Sequence, residues 1–140
     1  MAKGLEDTAF YTFNRFVALN EVGGDPSCFG ISVDESHEAA RQTQNRWPRA
    51  MLATSTHDTK RSEDVRARLA VLSERPQEWI RAVRRWSEML EKHKTGGWPD
   101  RNSEYLLYQT LVGTWPITVD RTHSYMEKAV REAKVHTSWT

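Results

Sequence analysis

His57 and Asp58 stand side by side inside a polar run, Ser55-Thr56-His57-Asp58-Thr59-Lys60-Arg61. An ionised carboxylate can accept from ligand hydroxyls or face a developing positive charge. An imidazole can donate to a hydroxyl, and the neighbouring ammonium and guanidinium can hold a polar ligand. Each group also has a plain structural use. A carboxylate caps a loop, a histidine bonds backbone, and Lys60 and Arg61 can pair with Glu63 and Asp64. Lys3, Glu6 and Asp7 carry a weaker version of the same chemistry. Tyr11 and Trp47 can stack on a ligand face, against a default of core packing.

Other constellations fail on their residues. His37-Glu38-Ala39-Ala40-Arg41 has the outline of a metalloprotease helix, but Arg41 stands where the second histidine must be, so no zinc pair exists. Arg81, Arg84 and Arg85 are interspersed with Glu74, Glu78 and Glu88, which fits a solvated helix face better than a nucleic-acid surface. No nucleophile triad signature and no phosphate loop occur.

The elements that must position the polar run read as one βα step. Met51-Leu52-Ala53-Thr54 is apolar and β-prone and predicts a strand ending before His57. Ser62 predicts an N-cap, Glu63 and Asp64 suit a first helical turn, and Val65, Leu69 and Leu72 share one face. Upstream, Asp7 or Thr8 is placed to cap a helix carrying Ala9, Phe10, Phe13, Phe16 and Val17. Asn20 to Pro26 reads as a loop. Ser32 and Glu35 form a capping box for a helix to about Asn45, which Trp47-Pro48 stops. Downstream, Pro76 suits a first turn, and Trp79, Val83, Trp86 and Leu90 recur at helical spacing. Asn102 or Ser103 is expected to cap the next helix, with Leu107 and Leu111 one turn apart, ending at Trp115-Pro116. Asp120 is expected to cap the last, whose apolar face is Met126, Ala129, Val130 and Ala133. The fold class expected is mostly α, with one or two βα steps.

Bulk properties exclude several classes. A chain of 140 residues fits one domain but not a complete (β/α)8 barrel, which needs roughly 250. Net charge is +1, so no strong pull toward nucleic acid or anionic membranes is expected. A single cysteine, Cys28, cannot form an internal disulfide and suits a reducing compartment. No apolar run approaches membrane-span length, and the N-terminus lacks a signal peptide's long apolar region. Six tryptophans point to buried anchors or sugar-stacking platforms, with core packing the default.

The run Thr54 to Arg68 resembles the signature block of the maltooligosyltrehalose synthases, glucan 1-α-glucosylmutases of the α-amylase family (glycoside hydrolase family 13). Met1 to Tyr11 is similar to a second block of that family, and Leu19-Asn20-Glu21-Val22-Gly23-Gly24-Asp25-Pro26 to a third. Two positions depart from the pattern: Ser36 stands where an aromatic is usual, and Arg49 where a histidine is. The resemblance implies a section of a (β/α)8 TIM barrel around strands six and seven, spanning residues 1–75, with a following helical region over 76–140. Met1 is then placed at the end of a barrel strand, with Lys3, Glu6 and Asp7 facing the substrate side.

The activity implied is an intramolecular, retaining transglucosylation in which the reducing-end α-1,4 linkage of a maltooligosaccharide becomes α,α-1,1. Asp58 matches the family acid that holds sugar hydroxyls and stabilises the transition state; the nucleophile and the acid/base lie elsewhere in the full enzyme. His57, Lys60, Arg61, Lys3, Glu6 and Asp7 are the implied substrate contacts. No metal or organic cofactor is implied. The implied setting is cytoplasmic trehalose biosynthesis, with maltooligosyltrehalose trehalohydrolase as pathway partner and the rest of the barrel needed for turnover. An α-amylase-type hydrolase and a non-catalytic helical interaction module are the competing readings. Isolated, such a piece is expected to pack loosely or associate, and to be inactive.

Overall fold

The computed structural model describes residues 2–137 and 139, with the side chains of Ala2 and Lys3 outside the described set. Six α-helices are present among them: α1 Ala2–Thr12, α2 Val33–Arg46, α3 Glu63–Glu74, α4 Pro76–Leu90, α5 Arg101–Thr114 and α6 Val119–Ala133. Single turns of 3-10 helix occupy Val17–Leu19 and Glu91–His93. None of these helices is long and apolar enough to cross a membrane. The place expected for Met1 at a strand end lies outside the described residues.

Helix boundaries follow local chemistry, with five departures from expectation, the first being that α1 ends at Thr12 and leaves Phe13, Phe16 and Val17 outside it. The Ser32–Glu35 capping box forms as read: Ser32 Oγ accepts from the Glu35 N–H at 3.2 Å, and the Glu35 carboxylate accepts from the Ser32 N–H at 2.7 Å. Pro76 opens α4. Helix α1, however, begins well before Asp7 and Thr8, so neither caps it; the Thr8 hydroxyl instead donates to the Glu132 carbonyl at 3.1 Å. Helix α5 is capped by Asp100, which accepts from the Ser103 N–H at 2.7 Å, not by Asn102 or Ser103. Thr118, not Asp120, caps α6. In both cases a residue slightly upstream has extended backbone and an acceptor within reach of the third helical N–H. Ser62 holds the N-cap position of α3, but its hydroxyl goes to Asp64. The Glu63 N–H is received by Ser55 Oγ at 3.0 Å.

The expected strand at Met51–Thr54 does not form. Among the described residues there is no β-strand, only an isolated antiparallel bridge between Thr95 and Trp98. Met51 is 98% and Leu52 86% exposed. A parallel strand needs a backbone ladder from neighbours, and β-propensity cannot supply one. The end of the segment is instead tied to α3: the Arg66 guanidinium donates to the Thr54 carbonyl, and the Ser55 hydroxyl donates to the Glu63 carboxylate at 2.7 Å. The mostly helical expectation holds, without the βα step.

The core is built by α3 against α5 and α1 against α6. Tyr11, Val17, Leu69, Leu106 and Ala129 form its buried centre, with Val65, Leu72, Tyr125 and Met126 packed around it. Gly113 sets the α3–α5 distance. A Cβ there would lie 2.9 Å from Val65 Cγ1 and 3.2 Å from Leu69 Cγ. Helix α2, whose only small apolar pair is Ala39–Ala40, has no buried residue. Between α4 and α5 an apolar groove of about 410 Å³ opens, lined by Trp86, Met89, Leu90, Leu111 and Trp115.

A buried carboxylate anchors the α4–α5 connection to α5. Glu104 is 3% exposed and receives the Lys94 ammonium at 2.8 Å, the Arg101 guanidinium at 3.0 Å and the Tyr108 hydroxyl. Burial pushes its pKa up, but the hydrogen bonds from Lys94 and Tyr108 outweigh that and hold the carboxyl below its ordinary 4.5. Tyr108 is correspondingly raised, by burial first and then by its bond to Glu104.

Two outcomes are expected. Gly113→Ala should cost about 1–3 kcal/mol by overpacking, outweighing a helix-propensity gain of about 1 kcal/mol. Adding Val65→Ala should recover part of that loss, and urea unfolding of the two variants checks it. A depressed carboxyl stabilises the fold above its unfolded pKa and loses that contribution as pH falls through the folded value. The thermal midpoint should therefore fall as pH drops from 4.5 through the folded value. Glu104→Gln should flatten part of that slope; identical slopes would show that Glu104 has no share in it.

Candidate active site

The polar run from Ser55 to Arg61 is a loop seated on α1, on the Asn20–Pro26 segment and on the start of α3. Its tip is a tight turn. Thr59 Oγ1 donates to the Thr56 carbonyl at 2.8 Å, and the Asp58 N–H donates to Thr56 Oγ1 at 3.3 Å. His57 and Asp58 occupy that tip, with Nε2 and Oδ2 3.4 Å apart. Their side chains are 92% and 54% exposed.

The loop has a second, inward side. The Lys60 ammonium pairs with the Asp7 carboxylate and sits 5.9 Å from the Phe10 ring centre. Both charged ends of this pair are largely withdrawn from solvent, at 17% and 18% exposure. Arg61 donates to the Tyr125 hydroxyl at 3.0 Å, and Tyr125 meets Tyr11 edge to face. Burial, then Tyr125, pushes the Tyr11 phenol up to about 12, against a smaller opposing effect of Arg61. Tyr11 is therefore a neutral phenol at physiological pH. Lys60, Arg61, Thr110, Arg121 and Tyr125 line a cavity of about 210 Å³ behind the loop.

The structure thus brings together Asp7, Lys60, Arg61, His57 and Asp58 on or against one loop. Glu6 joins them indirectly: its carboxylate accepts from the Gly23 N–H at 3.0 Å, where φ of +74° requires glycine. Lys3 lies near the start of α1, with its side chain outside the described set. Tyr11 is a core residue, and Trp47 stands exposed just after α2. Lys60 and Arg61 make their contacts with Asp7 and Tyr125, where the local pattern had pointed to Glu63 and Asp64. Among the described residues no group of three His, Cys, Asp or Glu is placed to hold a metal ion.

Glu21, which its local residue pattern did not single out, holds the loop. Its carboxylate accepts from the Lys60 N–H at 2.9 and 3.1 Å, from Arg66 at 3.1 Å and from the Val22 N–H at 2.8 Å. The signal was present, an acid beside a Gly-Gly turn inside one of the three family-like blocks, but its partners are 39 and 45 residues away.

No protein-family model matches the chain. A protein of Mycobacterium tuberculosis described as a maltooligosyl trehalose synthase is 43% identical over 99% of this chain. The maltooligosyltrehalose synthase of Arthrobacter ramosus, a solved structure, is 45% identical over 99% of the chain with a TM-score of 0.87. A Sulfolobus tokodaii structure described as a maltooligosyl trehalose synthase is 43% identical over 96%, with a TM-score of 0.82. The family resemblance therefore extends along nearly the whole chain. The chain spans 18% of the length of the curated relatives it matches.

Proposed function

We infer that this chain is a segment of a maltooligosyl trehalose synthase and carries part of its substrate site. One observation carries this reading: His57 and Asp58 are presented side by side on a turn held from behind by Asp7 and Glu21, within a block similar to that family along its length. Residues 1–75 belong to a (β/α)8 barrel in the assembled protein, and residues 76–140 to the helical region after it. The apolar groove between α4 and α5 and the exposed Met51 and Leu52 are surfaces that the remaining chain covers.

The reaction is a retaining, intramolecular transfer of the terminal glucose from an α-1,4 to an α,α-1,1 linkage. Such a transfer needs a nucleophile and an acid/base about 5–5.5 Å apart across the scissile bond. Asp58 supplies neither role. Its carboxylate faces the oxocarbenium-like centre and accepts from sugar hydroxyls, while His57 donates to a hydroxyl beside it. The nucleophile and acid/base come from elsewhere in such a protein. Lys60, Arg61, Lys3, Glu6 and Asp7 surround the departing glucose. Retaining that glucose while it turns over separates the mutase from a hydrolase, which releases it.

Two measurements check this. The 140-residue chain incubated with maltopentaose should give no non-reducing product. A full-length protein carrying this segment should give it, and Asp58→Asn should remove most of that activity, by several kcal/mol in barrier on the scale of ~3–4 kcal/mol for a lost electrostatic contact. Turnover by the short chain, abolished by Asp58→Asn, would show that the acids are misassigned. In the full-length protein, Lys60→Met and Lys3→Met should each raise the ratio of free glucose to trehalosyl product. An unchanged ratio in both removes these lysines from the site.

A further inference from the structure

The Asp58 turn is closed from within by the Thr56–Thr59 hydrogen bonds, but those bonds do not tie it to anything else. Side-chain contacts such as Lys60–Asp7 and Ser55–Glu63 tie it to α1 and α3, and Glu21 adds a contact to its main chain. Both carboxylate oxygens of Glu21 receive the backbone N–H of Lys60, two residues past Asp58, at 2.9 and 3.1 Å. A carboxylate bound to a main-chain amide fixes the path of the chain itself, not merely one side chain. Glu21 is in turn held on a rigid base. Asn20 is buried, and its Nδ2 donates to the carbonyls of Phe10 and Phe13 at 2.8 and 2.9 Å. The next turn is tied to α1 by the Gly23–Glu6 bond. Arg66 meets the Glu21 charge at 3.1 Å, which offsets part of the cost of withdrawing it from water.

We propose that Glu21 is a positioning residue that sets the register of the His57–Asp58 turn and of Lys60 against α1, so that the reacting sugar and the departing glucose are held in one geometry. This rests on the synthase function inferred above. Misplacing a transition-state contact by about 1 Å costs on the order of 100-fold in rate, whereas ground-state affinity spread over many sugar contacts changes little.

The test uses a full-length protein carrying this segment, assayed with maltopentaose for kcat, KM, free glucose and non-reducing product. Glu21→Ala should lower kcat at least about tenfold, leave KM within about threefold and raise the share of free glucose. Glu21→Gln keeps an acceptor for the Lys60 N–H and should recover much of that kcat. Glu104→Ala, which breaks a buried cluster whose partners Lys94, Arg101 and Tyr108 lie outside the loop and α3, serves as the control for lost stability. If it lowers kcat and shifts product as Glu21→Ala does, Glu21 acts through stability alone and the proposal is overturned; unchanged kinetics in Glu21→Ala also overturn it. If the parent protein forms no non-reducing product, the synthase function falls instead. Amide exchange in that full-length protein then decides separately: Glu21→Ala should speed Lys60 N–H exchange about tenfold or more, and an unchanged rate overturns the clamp.

Discussion

A single buried amide holds the platform of the candidate site together. Gln109 on α5 is fully buried. Its Oε1 accepts from the Val17 N–H at 2.9 Å, and its Nε2 donates to the Asn14 carbonyl at 2.8 Å. In a helical structure the backbone of an irregular segment has no sheet ladder to satisfy it, and an unpaired buried peptide group is costly. The Gln109 side chain replaces that ladder for the turn between α1 and Val17. Asn20 does the same for the carbonyls of Phe10 and Phe13 near the end of α1. Through these two amides the chain leaves α1 in one defined direction, and Glu21 arrives beneath the polar loop.

That arrangement divides the loop into two chemical sides. Lys60 and Arg61 spend their hydrogen bonds inward, on Asp7 and on Tyr125, and are partly withdrawn from water. His57 and Asp58 face outward. Withdrawing a cation is tolerable only when an acceptor meets it, and Asp7 on α1 meets Lys60. The same rule explains Glu104, whose buried carboxylate is supportable because Lys94, Arg101 and Tyr108 surround it. The Lys60–Asp7 and Lys94–Glu104 pairs each join different parts of the chain, so charge acts here as a connector between elements.

Local signals were legible where local physics decides. The Ser32–Glu35 box, the proline at the start of α4 and the Trp-Pro stops at 47–48 and 115–116 all describe interactions within a few residues, and each holds. The Ala129 face of α6 also reads directly from its spacing, because that helix packs along one side on α1. Met51–Thr54 failed because strand formation depends on a neighbour, not on the segment. Asp100 and Thr118 were passed over because several adjacent polar residues can cap a helix and only the backbone turn selects among them. Glu21, Glu104 and Gln109 escaped for a different reason. Lys60, Lys94 and Asn14, which they bind, lie 39, 10 and 95 residues from them, and no periodicity encodes such a meeting. The His57–Asp58 pair was found through the family-like block around it, since its exposed turn carries no pattern of its own.

The packing of α1 on α6 sets an order of events. The Thr8 hydroxyl reaches the Glu132 carbonyl across 124 residues of chain, and α6 is the principal partner of α1. Closing so long a loop carries an entropic cost that only the finished contact repays. On a ribosome, where the chain emerges from its N-terminal side, α1 leaves the exit tunnel long before α6 exists. Within this segment, the helix that carries Asp7 waits for its contact with α6 while the helices between them are made. The platform for Lys60 is therefore begun early within the segment and completed only when α6 arrives.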